Sequence, residues 1–277
     1  MITWPVPEPA LPEAVNPVLA EAARAAAAAF RHARERFDRE GLAEKMATGT
    51  AGTIATRLDI VVENAVVEVV GRHRVNLLSE EIGLIDHGSA TTLIVDPVDG
   101  TGNAVAGVPL CAFAAAVCRD GVLTESLTCW LDTGRCWHAI AGVPVPFRTT
   151  GRTALDGAAV SLLRPQRADT AAWWRIADRA ERVRILSSSC LEAALVAEGS
   201  TDAFADVGGD RHRLVDLAPA MVLLPAAGGA VIDALGRPIE VAADLSRRWS
   251  GVVAASPALA EEVAAVIRGA QIPLEDG

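Results

Sequence analysis

The chain has 277 residues, a formal net charge of −10 and a hydrophobic content of 51%, with no tyrosine and only five phenylalanines. This length allows one large domain, or two closely packed halves, with a full hydrophobic core. The acidic balance and the shortage of aromatic residues argue against a nucleic-acid-binding surface, which needs clustered basic side chains and stacking rings.

No run of 18 uninterrupted apolar residues occurs, so we expect no membrane-spanning helix and no membrane partner. The first 17 residues contain five prolines and no basic residue ahead of an apolar block, so no standard secretion signal is expected. Five cysteines, without a C-x-x-C pair, predict small buried thiols in a reducing cytoplasm rather than a zinc site or a disulfide framework.

An alanine-rich segment over residues 18–40 predicts one long helix, because Asn16 and the proline after it form a helix-start signal and Gly41 a stop signal. Residues 41–56 are rich in glycine and threonine and have little periodicity. They predict a flexible loop that could serve as a lid.

A second helix is predicted over residues 60–70, where apolar residues recur at helical spacing and Asp59 stands in the capping position. Because this run contains many β-branched residues, a strand remains the alternative. Residues 75–78 and 91–95 predict short buried strands. Three further apolar runs separated by turn residues predict an antiparallel meander over 110–118, 122–131 and 135–141.

Beyond a glycine- and proline-rich junction at residues 142–157, strand and helix patterns alternate, which predicts an α/β half. The predicted strands cover residues 158–163, 183–187, 202–205, 230–233 and 251–255. The predicted helices cover residues 169–181, 190–198, 215–227 and 256–269. We therefore expect an α+β half over residues 1–155 and an α/β half over residues 156–277.

The most informative motif is Asp-Pro-Val-Asp-Gly-Thr at residues 96–101, directly after an apolar strand. Asp96 and Asp99 lie three positions apart in a turn, so both carboxylates and the carbonyl of Val98 can face one point. Glu80, at the end of the neighbouring strand, can supply a fourth oxygen. Hard oxygen donors suit Mg²⁺, which prefers one or two carboxylates together with phosphate oxygens. The motif therefore predicts a magnesium site for a phosphorylated substrate.

Further residues extend this prediction. Gly100 and Thr101 are expected to begin a short helix whose free N–H groups contact the phosphate, while the Thr101 hydroxyl orients water. Asp216 begins an apolar helix and is either an ordinary N-terminal helix acid or a ligand of a second cation. A solvated turn is the simpler interpretation of residues 96–101, but clustered carboxylates between apolar runs repel one another unless cations neutralise them.

Three segments of the chain resemble the inositol monophosphatase family of Mg²⁺-dependent phosphatases. They are the acidic pair at 80–81, DPVDGTGNA at 96–104, and Val215-Asp216 with the glycines at 228 and 229. Residues 53–83 and 100–110 are most similar to the archaeal type that hydrolyses both inositol monophosphate and fructose 1,6-bisphosphate. The resemblance runs from about residue 20 to residue 268 and implies a layered αβαβα sugar-phosphatase fold and a homodimer.

The resemblance also implies two or three Mg²⁺ ions in each site. Glu80, Asp96 and the Val98 carbonyl would hold the first ion, and Asp96, Asp99 and Asp216 the second. A third, weaker ion would use Glu80 and water.

Catalytic and substrate-binding roles follow from the same resemblance. Thr101, hydrogen-bonded to Asp59, would help to activate the water that attacks phosphorus in line, with Glu80 as the third catalytic residue and no phospho-enzyme. Ser188, Ser189 and Asp206 match positions that line the sugar or polyol pocket. As sequence alone, the serines are equally good helix caps and Asp206 a loop acid.

The chain departs from the family pattern at three places. Pro219 and Pro225 stand within the helix that follows Asp216; the first is tolerable in a first turn, whereas the second is expected to bend the helix. The loop at 46–56 lacks an acid often found there, which affects the third cation. Glu81 is expected to lie outside the ligand set.

The predicted function is Mg²⁺-dependent hydrolysis of a small phosphorylated polyol or sugar, similar to inositol monophosphate. Fructose-1,6-bisphosphatase, histidinol-phosphate phosphatase and 3′-phosphoadenosine 5′-phosphate phosphatase activities are alternatives within the superfamily. The haloacid dehalogenase class uses D-x-D-G-T with a phosphorylated aspartate, but here two residues separate the acids. A pseudophosphatase that acts as an interaction module is the non-enzymatic alternative.

Overall fold

The structure, a computed structural model, describes residues 5–50, 52 and 54–271. Parts of three predicted segments lie outside the described residues. They are the first four residues of the N-terminal segment, positions 51 and 53 of the predicted loop, and the last six residues of the predicted second half. Helices and two mixed sheets alternate in five layers, which confirms the predicted αβαβα fold. Among the described residues, no helix is long and apolar enough to cross a membrane.

The described part contains eight helices and thirteen strands. The helices are α1 Pro17–Arg36, α2 Arg39–Ala43, α3 Arg57–His73, α4 Thr101–Ala106, α5 Thr170–Arg179, α6 Ser189–Ala197, α7 Leu214–Ala226 and α8 Pro257–Gln271. The strands are β1 Lys45–Thr48, β2 Ile54–Thr56, β3 Asn76–Ser79, β4 Gly83–Ile85, β5 Thr91–Asp99, β6 Ala112–Arg119, β7 Val122–Trp130, β8 Cys136–Ile140, β9 Ala159–Leu162, β10 Arg182–Arg184, β11 Ala203–Ala205, β12 Ala230–Asp233 and β13 Gly251–Ala254.

The first large sheet has six strands in the order β4-β3-β5-β6-β7-β8, with β3 and β5 parallel and every other pair antiparallel. The predicted meander is its β6-β7-β8 part. The second large sheet has the order β10-β9-β11-β13-β12, with β9 parallel to β10 and β11. All strands of the first sheet precede residue 141 and all strands of the second follow residue 158. The division into halves at residue 155 stays a prediction.

The predicted long first helix is wrong at its C-terminal end. The helix stops at Arg36, because Phe37 adopts an extended conformation and Asp38 accepts a hydrogen bond from the Gly41 N–H at 2.8 Å, which caps the separate helix α2. The alanines of α1 allow its close approach to α3, and both helices cover one face of the first sheet.

Residues 57–73 are helical, so the helix prediction for 60–70 is confirmed over the strand alternative. The N-cap residue is Thr56 rather than Asp59. Asp59 lies three residues later, and its carboxylate accepts the Thr56 N–H, which completes a capping box. The predicted loop before this helix contains the β1–β2 hairpin. The Thr50 N–H donates to the Glu81 carbonyl at 2.9 Å, which places the hairpin over the acidic pair.

Helix α7 packs between the two large sheets. Its buried residues contact both sheets, so its first turn is fixed where the two halves meet. Pro219 is the sixth residue of the helix rather than part of its first turn, and Pro225 is its penultimate residue. The helix remains continuous through both, since Pro225 stands where the helix is about to end.

Candidate active site

A cavity of about 420 Å³ opens where the two halves meet. Residues of both halves line it. Those from the first half are Glu80, Asp96, Val98, Asp99, Gly100, Thr101 and Gly102, and those from the second are Leu163, Arg164, Gln166, Ser187, Ser189, Arg211, His212, Arg213 and Asp216. The structure therefore brings together all five predicted metal ligands. It does not place Asp59, Ser188 or Asp206 on the cavity wall.

The two aspartates of the motif lie at the end of β5, which extends further than predicted. The strand continues to Asp99, and its pairing with β6 is irregular between Asp96 and Asp99. The Val98 N–H donates to the Asp96 carboxylate at 3.1 Å, which turns the chain so that both acids reach the same side. One oxygen of each aspartate lies within 4.8 Å of the other and of the Cys190 sulfur.

Asp99 is held at the N-terminus of α6. Its carboxylate accepts hydrogen bonds from the Ser188 hydroxyl at 2.5 Å and from the N–H groups of Ser189 and Cys190, both at 2.9 Å. An anion at this position is stabilised by the free N–H groups of the helix. Ser188 is fully buried and therefore contacts a ligand residue instead of the cavity, whereas Ser189 lines the cavity.

Glu80 and Asp216 are joined through Arg213, a residue that the sequence analysis missed. The Arg213 guanidinium contacts the Glu80 carboxylate and lies 3.2 Å from an Asp216 oxygen. The Arg213 N–H also donates to Asp216 at 2.6 Å, so this acid both caps α7 and faces the cavity. The sequence signal for this contact was an arginine three residues before an acid at the N-terminus of a helix.

The acids of the cavity have strongly shifted pKa values. Burial raises the pKa of Glu80 to about 7 and that of Asp99 to about 6, and burial together with the charge of Glu80 raises the pKa of Asp96. Burial acts on Asp216 in the same direction, but the attraction of Arg213 outweighs it and lowers the pKa. Burial is the main cause of the raised values, and the negative charge of neighbouring acids adds to it.

The Thr101 hydroxyl lies 2.7 Å from an Asp59 oxygen and 3.0 Å from the Val98 carbonyl oxygen. The other Asp59 oxygen accepts hydrogen bonds from the Thr56 N–H and hydroxyl, each at 2.8 Å. Asp59 is thus fixed by the first turn of α3 and touches the cavity only through Thr101. The contact implied by the family resemblance is present in the structure.

Glu81 lies beside the cluster but does not line the cavity. Its N–H donates to Glu63 at 3.2 Å, and one of its carboxylate oxygens is buried without a hydrogen-bond partner among the described residues. Burial raises its pKa to about 8. Its position outside the ligand set stays a prediction.

Asp206 is fully buried in the loop after β11. Its carboxylate accepts hydrogen bonds from the N–H groups of Gly209 at 3.1 Å and Arg211 at 2.7 Å, and the Arg211 guanidinium lies 3.2 Å away. Asp206 therefore positions Arg211, which lines the cavity, instead of lining it itself.

Another part of the cavity wall, which we call the basic wall, contains Arg164, Gln166 and Arg211. Arg211 contacts Asp169 through its guanidinium and donates to the Arg164 carbonyl at 2.6 Å. Among the described residues, the exposed guanidinium of Arg164 has no hydrogen bond or ion pair. Gln166 lies beside it on the same wall.

The donor set fits divalent cations. Glu80, Asp96, Asp99 and Asp216 place four carboxylates around one cavity, and the Val98 carbonyl adds a fifth oxygen. The Arg213 guanidinium contacts two of these carboxylates, those of Glu80 and Asp216. Carboxylate and carbonyl oxygens are the ligands that Mg²⁺ prefers. The raised pKa values of three of these acids indicate a field that positive ions would relieve.

Comparison with known proteins agrees with this geometry. The sequence profile of the inositol monophosphatase family matches residues 14–271. The chain is 32% identical to the fructose-1,6-bisphosphatase/inositol-1-monophosphatase of Methanothermobacter thermautotrophicus, covering 81% of this chain and 87% of the relative. It is 28% identical to the protein of the same name from Thermococcus kodakarensis, over 80% and 86% of the two chains.

The structure is likewise similar to a Pyrococcus horikoshii protein described as having similarities to inositol-1 monophosphatase. The TM-score is 0.74 at 25% sequence identity, over 88% of this chain and 94% of that one. The chain belongs to the inositol monophosphatase family, whose members are phosphoric monoester hydrolases.

Proposed function

We propose that this protein is a Mg²⁺-dependent phosphatase that hydrolyses a monoester of a small polyol or sugar, similar to inositol monophosphate. The observation that carries the proposal is the convergence of four carboxylates, three of them buried, and one backbone carbonyl on a single cavity of about 420 Å³. Family membership supports the reaction class, and the size of the cavity suits a small substrate.

The ligand assignment divides the donors between two ions. Glu80, Asp96 and the Val98 carbonyl would hold the first, and Asp96, Asp99 and Asp216 the second. A third ion, if bound, would use Glu80 and water. Such ions would neutralise charge on the phosphoryl oxygens and make water more acidic. Asp96 interacts with Glu80, Asp99 and Asp216, which supports its assignment to both ions.

Thr101 and Asp59 would orient the attacking water. Because the Thr101 hydroxyl donates its proton to Asp59 at 2.7 Å, its oxygen lone pairs are left to accept a hydrogen bond from water. The catalytic acids are Asp59 and Glu80, the first acting through Thr101. Gly100 and Thr101 would contact the phosphate through their backbone, and Ser189 the polyol, with Ser188 and Asp206 supporting from behind the wall.

A bisphosphate such as fructose 1,6-bisphosphate is the second candidate substrate. The observation that favours it is the basic wall, where Arg164 and Arg211 line the same cavity as the acidic cluster. Arginine suits a phosphate group because its planar fork donates two hydrogen bonds at once. The names of the archaeal relatives include both activities.

The test is phosphate release by the purified protein with Mg²⁺ from inositol 1-phosphate, fructose 1,6-bisphosphate, histidinol phosphate and 3′-phosphoadenosine 5′-phosphate. Release that stops with a chelator supports the proposal. Absence of release from the whole panel favours a pseudophosphatase. Recovery of phosphorylated Asp96 after acid quench would instead indicate the haloacid dehalogenase mechanism.

Arg164→Gln distinguishes the two substrate classes. If the second phosphate binds the basic wall, this variant loses at least about tenfold in kcat/KM for the bisphosphate and little for the monophosphate. Arg167→Gln is the matched control, because Arg167 is exposed nearby and does not line the cavity. An equal loss for both substrates would contradict the bisphosphate assignment.

A cytoplasmic location and a homodimer also belong to this proposal. The five cysteines are free thiols, which supports a reducing compartment. The dimer rests on analogy with the family, and light scattering of the purified protein tests it. A monomeric mass at micromolar concentration would contradict the dimer without affecting the proposed reaction.

A further inference from the structure

The segment that joins β10 to α6 lies directly against the metal-binding turn. Ser187 has φ 60°, a left-handed conformation that costs a residue other than glycine about 1 kcal/mol or more. Across the contact, a Cβ on Gly100 would lie 3.1 Å from the Ser188 Cβ and 3.3 Å from the Ser187 carbonyl oxygen. Such a strained, closely packed segment keeps its shape only where other groups hold it.

Two side chains hold this segment, the buried Glu192 and the half-buried Asn103. The Glu192 carboxylate, one turn into α6, accepts hydrogen bonds from the N–H groups of Leu186 at 3.3 Å and Ser188 at 3.2 Å, and also from a serine hydroxyl of β9. The Asn103 amide, on α4, donates to the Leu186 carbonyl at 2.7 Å and to the Leu110 carbonyl at 2.9 Å. The strained Ser187 therefore lies between two fixed residues.

Ser188 transmits this restraint to Asp99. The Ser188 N–H bonds Glu192 while its hydroxyl bonds the Asp99 carboxylate at 2.5 Å, so one residue connects the two acids. Glu192 is 1% exposed and does not line the cavity, so Ser188 is its hydrogen-bonded connection to the site.

We propose that Glu192 is a positioning residue that fixes residues 186–188 and thereby sets the orientation of Asp99 for cation binding. The inference rests on the proposed function, since it assigns Asp99 to an ion. Groups that orient a metal ligand from outside the ligand set commonly change metal affinity by about 10- to 100-fold when removed. The two N–H groups donate to different oxygens of Glu192. A glutamine at this position keeps one oxygen, which can still accept from the Ser188 N–H, and is the conservative replacement.

The experiment measures Mn²⁺ binding to Glu192→Ala, Glu192→Gln and the unchanged protein by electron paramagnetic resonance of the free ion, together with the Mg²⁺ concentration that gives half-maximal phosphate release. We expect Glu192→Ala to weaken Mn²⁺ binding at least about tenfold and to raise the Mg²⁺ requirement by a similar factor. Glu192→Gln should stay within about threefold of the unchanged protein.

Glu198→Ala is the matched control. Glu198 directly follows α6, and its side chain is also buried. It accepts a hydrogen bond from the Trp137 ring N–H at 2.8 Å instead of from the segment beside Asp99. Its loss should lower thermal stability and leave Mn²⁺ affinity unchanged. If Glu192→Ala and Glu198→Ala shift the affinity equally, the positioning role is wrong.

If Glu192→Ala fails to fold, Asn103→Ala replaces it, because it releases the same segment from its other side and should weaken Mn²⁺ binding in the same direction. Unchanged affinity in the folded variant would overturn the inference while leaving phosphatase activity, and hence the proposed function, intact. Absence of Mn²⁺ binding by the unchanged protein would overturn both. Weakened binding in a protein that hydrolyses no ester would support the positioning role alone.

Discussion

The guanidinium of Arg213 lies against the carboxylate of Glu80, 133 positions earlier in the chain. The side chains are 13% and 16% exposed, so water screens the contact only weakly. Arg213 also bonds Asp216, and it therefore joins an acid of the first half to an acid of the second. In the absence of cations, this arginine is the main compensation for the charge of the cluster.

Replacement of Arg213 by glutamine should destabilise the metal-free protein by about 3–5 kcal/mol, because it leaves two buried carboxylates without their cation. Added Mg²⁺ should restore much of the loss, since bound ions supply the missing positive charge. Urea unfolding with chelator and with Mg²⁺ measures both effects. Arg31→Gln, which breaks a surface contact with Glu8, should change the free energy of unfolding by less than about 1 kcal/mol.

Asp99→Asn should lower kcat by at least about 10³, because a neutral amide binds a divalent cation poorly and the cations supply several kcal/mol of transition-state stabilisation. Steady-state phosphate release at saturating Mg²⁺ measures the change. Asp120→Asn makes the same chemical replacement in the exposed β6–β7 turn and should leave kcat unaltered. Full activity in Asp99→Asn would remove this residue from the catalytic site.

Cation binding should strengthen as pH rises from about 5.5 to 7. Burial holds the pKa of Asp99 at about 6 and that of Glu80 at about 7, so Mg²⁺ must displace protons below these values. Each displaced proton changes the affinity by about tenfold per pH unit. Calorimetric titration in buffers of different ionisation enthalpy measures both the affinity and the number of protons released. A pH-independent affinity would contradict the raised pKa values.

Stability of the metal-free protein should change in the opposite direction. Glu80 has an ordinary pKa of 4.5 and a folded value of about 7, so between these values the folded state binds the proton that the unfolded state has released. The free energy of unfolding contributed by this group therefore falls as pH rises through that window. The lowered pKa of Asp216 acts only below its ordinary value of 3.8. Thermal unfolding with chelator at pH 5 and pH 8 tests the sign.

Gly100→Ala should destabilise the protein by about 1–3 kcal/mol and reduce activity. Gly100 has φ 87°, and a Cβ there would meet the Leu110 carbonyl oxygen at 2.8 Å, a contact with rigid backbone. Gly71→Ala is the control, because Gly71 lies in α3 with open space around its Cβ position and should gain up to about 1 kcal/mol of helix propensity. Thermal unfolding of both variants gives the comparison.

The sequence predicted most elements of the fold because their periodicity and turn residues agree with the final packing. The β6-β7-β8 meander and the helices of the second half lie within a few residues of their predicted bounds. The break after Arg36 was missed, because Asp38 caps α2 through a local hydrogen bond inside an otherwise continuous helical pattern. The β1–β2 hairpin was also missed, since its four-residue strand is exposed along its length and has no apolar alternation.

The residues proposed as metal ligands could be grouped from sequence because adjacent strands β3 and β5 are parallel and place Glu80 and Asp96 at the same sheet edge. Arg213 and Glu192 could not be identified in this way. Their roles depend on which side chains meet across long separations, and an arginine or glutamate near a helix start has many local explanations. Asp206 was assigned to the substrate wall, but its hydrogen bonds are all local to its own loop.

The position of α7 between the two large sheets gives the cation cluster a mechanical consequence. Asp216 is carried by the second half, whereas Glu80, Asp96 and Asp99 belong to the first, so any movement that separates the halves also pulls the coordinating oxygens apart. If the cluster binds cations as proposed, ion release and separation of the two halves would be coupled. Chelation should expose the connecting segment at 142–157 to proteases, and cellular magnesium levels would set the lifetime of the protein as well as its turnover.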